Sequence, residues 1–87
     1  MHSIRQLEII KTLAQHRHFG RAASALAISQ PALTRSLKQI EETLGVQLFD
    51  RDSVTPTLFG QIVLEHSAQV LGGFSDLLRE LSLAKGL

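Results

Sequence analysis

Four apolar residues between Gln30 and Leu44 constrain this chain more than any other feature. Leu33, Leu37, Ile40 and Leu44 stand at i, i+4, i+7 and i+11. On a helix turning about 100° per residue they fall within a wedge of roughly 60°. Away from the wedge lie Pro31, Thr34, Arg35, Lys38, Glu41 and Glu42, while Gln30 flanks it and can reach out past the helix end. Ser29 is placed as an N-cap, and Pro31 falls in the first turn, where its missing N–H has no intrahelical partner. Gly45 stands where a left-handed C-cap residue belongs. The pattern predicts a helix over 30–44 with one buried face. Its outward charge is basic first and acidic last, so only the N-terminal half suits a negatively charged groove.

Two helices are expected before it. The first runs from about Ile4 to His16, with Ser3 as cap and Gln6 completing a capping box. Ile4, Leu7, Ile10, Leu13 and Ala14 form its buried stripe. His16, Arg17 and His18 mark its end, where cations meet the helix dipole favourably. The second helix covers roughly Gly20–Ala27, with Phe19, Ala22, Ala23 and Leu26 inward and Ile28 plugging the core from the turn. The small alanines permit a steep, close helix crossing. Two short helices joined by a tight turn, the second with a polar outer face, match a helix-turn-helix whose second helix enters a DNA major groove.

After Gly45 the alternation weakens. Val46–Phe49 reads as a short strand, Asp50–Ser53 as a turn and Val54–Pro56 as the return, with Pro56 restricting that strand to an edge. Thr57 can cap a fourth helix from Leu58 to about Ala84. Val63, Val70, Leu77 and Ala84 recur every seven residues, and Phe74 and Leu81 lie four after Val70 and Leu77. So wide an apolar stripe on so long a helix exceeds what a small domain covers, and part of it requires a second chain. Gly72-Gly73 is a weak point within it, each Gly costing about 1 kcal/mol relative to Ala. The organisation predicted is a unit over 1–56 and a helical arm over 57–87. The fold class is all-α with a small two-stranded wing.

Eighty-seven residues without cysteine make one domain that relies on its apolar core, a partner, or both. Four Phe and no Trp or Tyr disfavour a base-stacking platform for single strands. The net charge of +1 is unevenly spread. Arg5, Lys11, Arg17, Arg21, Arg35, Lys38 and Arg51 outweigh Glu8, Glu41, Glu42 and Asp50, whereas the remainder is net acidic. Positive charge therefore sits where the helix-turn-helix reading needs it. The N-terminus has no basic flank with an apolar run, and no segment reaches transmembrane length, so a cytoplasmic protein is expected. His16 and His18 are two apart and fall on different helix faces, no other histidines pair at i, i+4, and no nucleophile–base arrangement or phosphate loop is found. No metal, cofactor or enzymatic activity is expected.

The runs RQLEIIKTLAQHRHFGRAASAL, SQPALTRSLKQIEETLGVQLFDR and VTPTLFG carry a resemblance. The chain resembles the N-terminal winged helix-turn-helix domain of LysR-type transcriptional regulators over most of Arg5–Gly60. The resemblance implies sequence-specific binding of double-stranded DNA in bacterial transcription regulation. It implies a homodimer through antiparallel arms over 58–84, an interrupted palindrome of the T-N11-A type, and tetramers in a full-length protein. The effector-binding domain of full-length relatives is absent from these residues, which implies a truncated chain. Two departures stand out. The wing between Arg51 and Val54 is about two residues shorter than usual and lacks a basic tip, which puts minor-groove contact by the wing in question. Gly20 stands where the family commonly has Ser or Thr, losing a cap.

The base-reading candidates are Gln30, Pro31, Thr34 and Arg35. Gln pairs with adenine, Arg with guanine, and the Thr methyl meets a thymine methyl. Pro31 serves equally to start the helix. Ser29, Lys38, Arg51, Arg21 and Arg5 are phosphate candidates. For Arg51 the alternative is a salt bridge to Asp50 or Glu42, and for Arg5, Arg21 and Lys38 it is plain surface charge. Val63, Val70, Phe74, Leu77 and Leu81 are the dimerisation candidates. The rival function is a winged-helix protein-interaction module that works through its apolar arm.

Overall fold

The computed structural model describes residues 3–86. They form α1 (Ile4–His16), α2 (Phe19–Ala25), α3 (Gln30–Leu44), β1 (Phe49–Asp50), β2 (Thr55–Pro56) and α4 (Leu58–Lys85). The result is a winged helix-turn-helix unit with a two-stranded antiparallel wing and a long C-terminal helix. Overall it measures 51 × 25 × 19 Å.

α3 begins and ends where its local signals put it. The Ser29 hydroxyl accepts from the Ala32 amide at 3.2 Å, and Gly45 closes the helix with a φ of 73°. Leu33, Leu37 and Ile40 are fully enclosed. Leu44, expected as the fourth core residue, is 37% exposed, because Gly45 turns the chain away at that point. α1 packs against α2, α3 and α4, and this widens its buried arc beyond the expected stripe. Ile10 and Leu13 are buried, and Ile9 joins them. Ile4, Leu7 and Ala14 are only half-buried.

α2 starts one residue earlier and ends two residues earlier than expected. Ala27 ends it by taking a left-handed φ of 57°. The Ala27 amide donates to the Ser24 carbonyl at 3.1 Å and the Ile28 amide to the Ala23 carbonyl at 3.0 Å, which is the Schellman pattern. It delivers Ile28 to the core, as anticipated. The expected loss of a cap at Gly20 is corrected. His18 is the N-cap, its Nδ1 accepting from the Arg21 amide at 3.0 Å. Gly20 leaves room for that imidazole, since a Cβ there would lie 3.0 Å from His18 Cε1.

The wing is shorter than the sequence suggests. Phe49 pairs with Pro56 and Asp50 with Thr55, around a turn at 51–54. Val46–Leu48 is not strand, because its backbone is used elsewhere. The Leu48 amide donates to the Glu41 carboxylate at 2.7 Å, and the Val46 amide donates to the Glu41 carbonyl at 3.3 Å. The short turn forces Val54 to a φ of 52°, a costly conformation for a β-branched residue, while its side chain packs on the core.

α4 is anchored at its start. Thr57 Oγ1 donates to the Gln47 carbonyl at 2.6 Å and accepts from the Gly60 amide at 3.2 Å. Gly60 lies against the wing base so closely that a Cβ would stand 2.1 Å from the Leu48 carbonyl oxygen. Packing continues past Pro56: Val63 and Leu64 are half-buried on the core and Ser67 is buried. Beyond Leu71 the helix is exposed.

The unexpected cap is directly testable. His18→Ala should destabilise the domain by about 1 kcal/mol, and His18→Ser should largely restore it, as an oxygen acceptor serves the same amide. Chemical denaturation of the three proteins at neutral pH measures the difference.

Candidate nucleic-acid interface

Burying Leu33, Leu37 and Ile40 turns the opposite face of α3 outward. Gln30, Pro31, Thr34, Arg35 and Lys38 are all exposed on it, as is Ser29 at the cap. Thr34 Oγ1 donates back to the Gln30 carbonyl at 3.1 Å, which leaves the methyl group free for an outside contact. Among the described residues neither Arg35 nor Lys38 forms an ion pair, so both cations face solvent uncommitted. Gln30 emerges beside the start of α2, its Oε1 lying 3.4 Å from where a Cβ on Gly20 would be. Arg21 is exposed nearby.

Two other exposed cations make bonds within the protein. Arg5 Nη2 donates to the Leu26 carbonyl at 2.9 Å and ties α1 to the end of α2. Arg51 pairs with Glu41, not with Asp50 or Glu42. Its Nη2 meets Glu41 Oε1, and its Nη1 donates to Glu41 Oε2 at 3.4 Å and to the Phe49 carbonyl at 3.1 Å. Local sequence does not suggest either bond, because the partners are 21 and 10 residues apart. An open cleft of about 580 Å³ separates the recognition face from the wing, lined by Thr34 and Lys38 on one side and Gln47 and Arg51 on the other.

The turn of the wing is acidic. Asp50 Oδ1 accepts from the Asp52 amide at 2.9 Å, the Ser53 amide at 3.1 Å and the Ser53 hydroxyl at 3.3 Å. The Ser53 amide, then the Asp52 amide, hold its carboxyl below the usual carboxylate range.

On the arm, Val70, Phe74, Leu77 and Leu81 are 48%, 41%, 49% and 51% exposed. Val63 differs, because it packs on the core of its own domain. Phe59 and Ile62 are exposed large apolar residues absent from the sequence-based set. Phe59 precedes Val63 by four and Val70 by eleven, so it continues the same face, and this spacing was the available signal. Among the described residues no three His, Cys, Asp or Glu side chains gather as a metal site, and no helix is long and apolar enough to cross a membrane.

These elements define a winged helix-turn-helix domain carrying a helical arm. The chain belongs to the bacterial regulatory helix-turn-helix proteins of the lysR family, whose model matches residues 4–61. It is 47% identical over 75 residues to the SDS degradation transcriptional activation protein of Pseudomonas sp. (strain ATCC 19151), covering 84% of this chain and 24% of that protein. It is 37% identical over 86 residues to the DNA-binding transcriptional dual regulator OxyR of Escherichia coli (strain K12), covering 97% of this chain and 28% of that one. The chain thus spans about a quarter of the length of these curated relatives. A solved complex of the BenM DNA-binding domain with benA site 1 DNA superposes with a TM-score of 0.89 at 26% identity, covering 95% of this chain and 96% of that one. The relatives are transcriptional regulators, not enzymes.

The Asp50 turn carries a pH dependence of known sign. A carboxyl whose pKa is depressed on folding contributes stability that is complete above its unfolded pKa and is lost as pH falls through the folded value. The wing turn should therefore stay ordered through mild acid and loosen only below the usual carboxylate range. Asp50→Asn should abolish the acid transition of the Ser53 and Asp52 amide resonances in an NMR titration.

Proposed function

We propose that this chain binds double-stranded DNA sequence-specifically, as the DNA-binding part of a bacterial transcription regulator. One observation carries the reading. The first half of α3 exposes Gln30, Pro31, Thr34, Arg35 and Lys38, with two uncommitted cations, while its opposite face is locked into the core. A helix held this way fits the major groove. Gln30, Pro31, Thr34 and Arg35 read base edges. Ser29, Lys38 and Arg21 meet phosphate and set the register. Arg51, paired with Glu41, drops out of the phosphate set, whereas Arg5, exposed and bonded only to a neutral carbonyl, stays in it. The DNA complex of the similarly folded BenM domain supports the assignment.

The protein acts as a homodimer through the arms. The exposed apolar side chains of Val70, Phe74, Leu77 and Leu81 support this, and burying each contributes about 1.5–3 kcal/mol. A second copy packed antiparallel covers them and presents two α3 helices to a dyad-related site of the T-N11-A type. The cytoplasm is the compartment in which such a protein meets its operator.

Duplexes selected from a random pool supply the test site. Arg35→Ala should weaken binding to that site by about 1–3 kcal/mol and relax preference at one base position. Lys38→Ala should weaken selected and random duplexes alike. Equal losses on both duplexes for Arg35→Ala would end its base-reading role.

The arm is tested separately. Val70→Glu with Leu77→Glu should convert the dimer to a monomer in sedimentation equilibrium and remove most DNA affinity, although α3 is untouched. A wild-type monomer at tens of micromolar with full affinity would refute the dimer.

A further inference from the structure

The recognition helix and the wing are joined by one side-chain clasp. Glu41 stands on α3 one turn beyond Lys38 and is almost enclosed, its side chain only 11% exposed. Its Oε2 accepts from the Leu48 amide at 2.7 Å, the Phe49 amide at 3.4 Å and Arg51 Nη1 at 3.4 Å. Its Oε1 accepts from Arg51 Nη2. The guanidinium returns to the Phe49 carbonyl and lies 6.0 Å from the centroid of the Phe19 ring at the start of α2. A single carboxylate thus fixes the start of β1 against α3, and the planar guanidinium closes the arrangement toward α2.

We propose that Arg51 and Glu41 are positioning residues for DNA recognition. They hold the wing at a set angle to α3, and Arg51 makes no phosphate contact of its own. This rests on the DNA-binding reading above. Charge and geometry both support it. Glu41 neutralises Arg51, and a phosphate brought against the guanidinium would also meet the carboxylate. The fork of two parallel bonds is a geometry that arginine makes and lysine does not. Lys38 and Arg51 flank the same cleft, yet only Lys38 is free of an ion pair among the described residues.

Arg51→Lys separates the two roles, because it keeps the charge and loses the fork. It is compared with Arg51→Gln, Glu41→Gln, the double variant and Lys38→Ala, all well below their melting midpoints. Affinity for the selected duplex and a random duplex is measured across a salt series. Positioning predicts that Arg51→Lys, Arg51→Gln and Glu41→Gln each reduce the specific-to-random affinity ratio by about tenfold, the worth of one charge-assisted bond. The double variant should lose no more than the worse single one. The slope of log affinity against log salt should be unchanged for the Arg51 variants, whereas Lys38→Ala lowers it by about 0.9. A phosphate contact predicts the reverse: Arg51→Lys keeps the ratio and Arg51→Gln lowers the slope as Lys38→Ala does. That outcome overturns the proposal.

Amide exchange of the DNA-free protein gives an independent reading. Arg51→Lys should speed exchange at Leu48 and Phe49 by about tenfold. Unchanged exchange overturns the clasp even if DNA binding fails. A wild-type protein without sequence preference, but with accelerated exchange in Arg51→Lys, would instead reject the DNA-binding reading and leave the clasp standing.

Discussion

The domain depends on the close fit of α2 beneath α3. Ala22 and Ala23 are essentially enclosed, and α2 lies against both α1 and α3. A larger side chain at either position would push the recognition helix outward, because packed interiors transmit such volume changes. With alanine there, Leu33, Leu37 and Ile40 sink fully and share one core with Ile10, Leu13 and Phe49. The outward phase of α3 follows from that burial. Thr34 and Arg35 face solvent because their neighbours at 33 and 37 cannot.

A second close approach sets the other end of the unit. Gly60 brings α4 onto the Leu48 carbonyl, and Leu48 is also where Glu41 holds the wing base. Recognition helix, wing and arm therefore meet at one short stretch of backbone. An L side chain at 60 would clash with that carbonyl, so the direction of the arm and the placement of the wing are coupled. Val54 shows how tightly the hairpin is drawn. It accepts a left-handed backbone while its side chain stays on the core.

Features decided locally were legible in the sequence. α3 came out whole because Ser29, Pro31 and Gly45 act on adjacent backbone and its apolar wedge repeats four times. Thr57 and the start of α4 were readable for the same reason. Decisions made across the fold were not. The cap of α2 is an imidazole nitrogen, outside the usual oxygen acceptors, so Gly20 looked like a defect. The strand expected at Val46–Phe49 failed because Glu41, seven residues before Leu48, takes its amide. Arg5 read as a phosphate contact or plain surface charge, and Arg51 as a phosphate contact or a partner of Asp50 or Glu42, since periodicity does not single out the Leu26 carbonyl or the Glu41 carboxylate. Val63 obeys the seven-residue repeat as well as Val70 does, but periodicity does not say which chain covers a face. The outer face of α3 was visible from spacing alone, whereas the residues that hold it steady were not.

The internal pairing of Arg51 changes the electrostatic argument for the arm. With Arg51 neutralised by a carboxylate, the cations left near the helix-turn-helix are few: Arg5, Arg21, Arg35 and Lys38. The wing turn adds Asp50 and Asp52, of the wrong sign for phosphate. Each phosphate contact contributes through release of about 0.9 counterion, so one domain has little non-specific affinity to draw on. Coupling two domains changes this without adding any contact to either. Once one α3 is seated, the second binds at an effective concentration in the millimolar range for a short tether. A stiff arm that matches the half-site spacing does better than a flexible one, because less freedom is lost on the second encounter. On the proposed reading, the apolar stripe of α4 thus supplies the DNA affinity that the sparse charge around α3 does not.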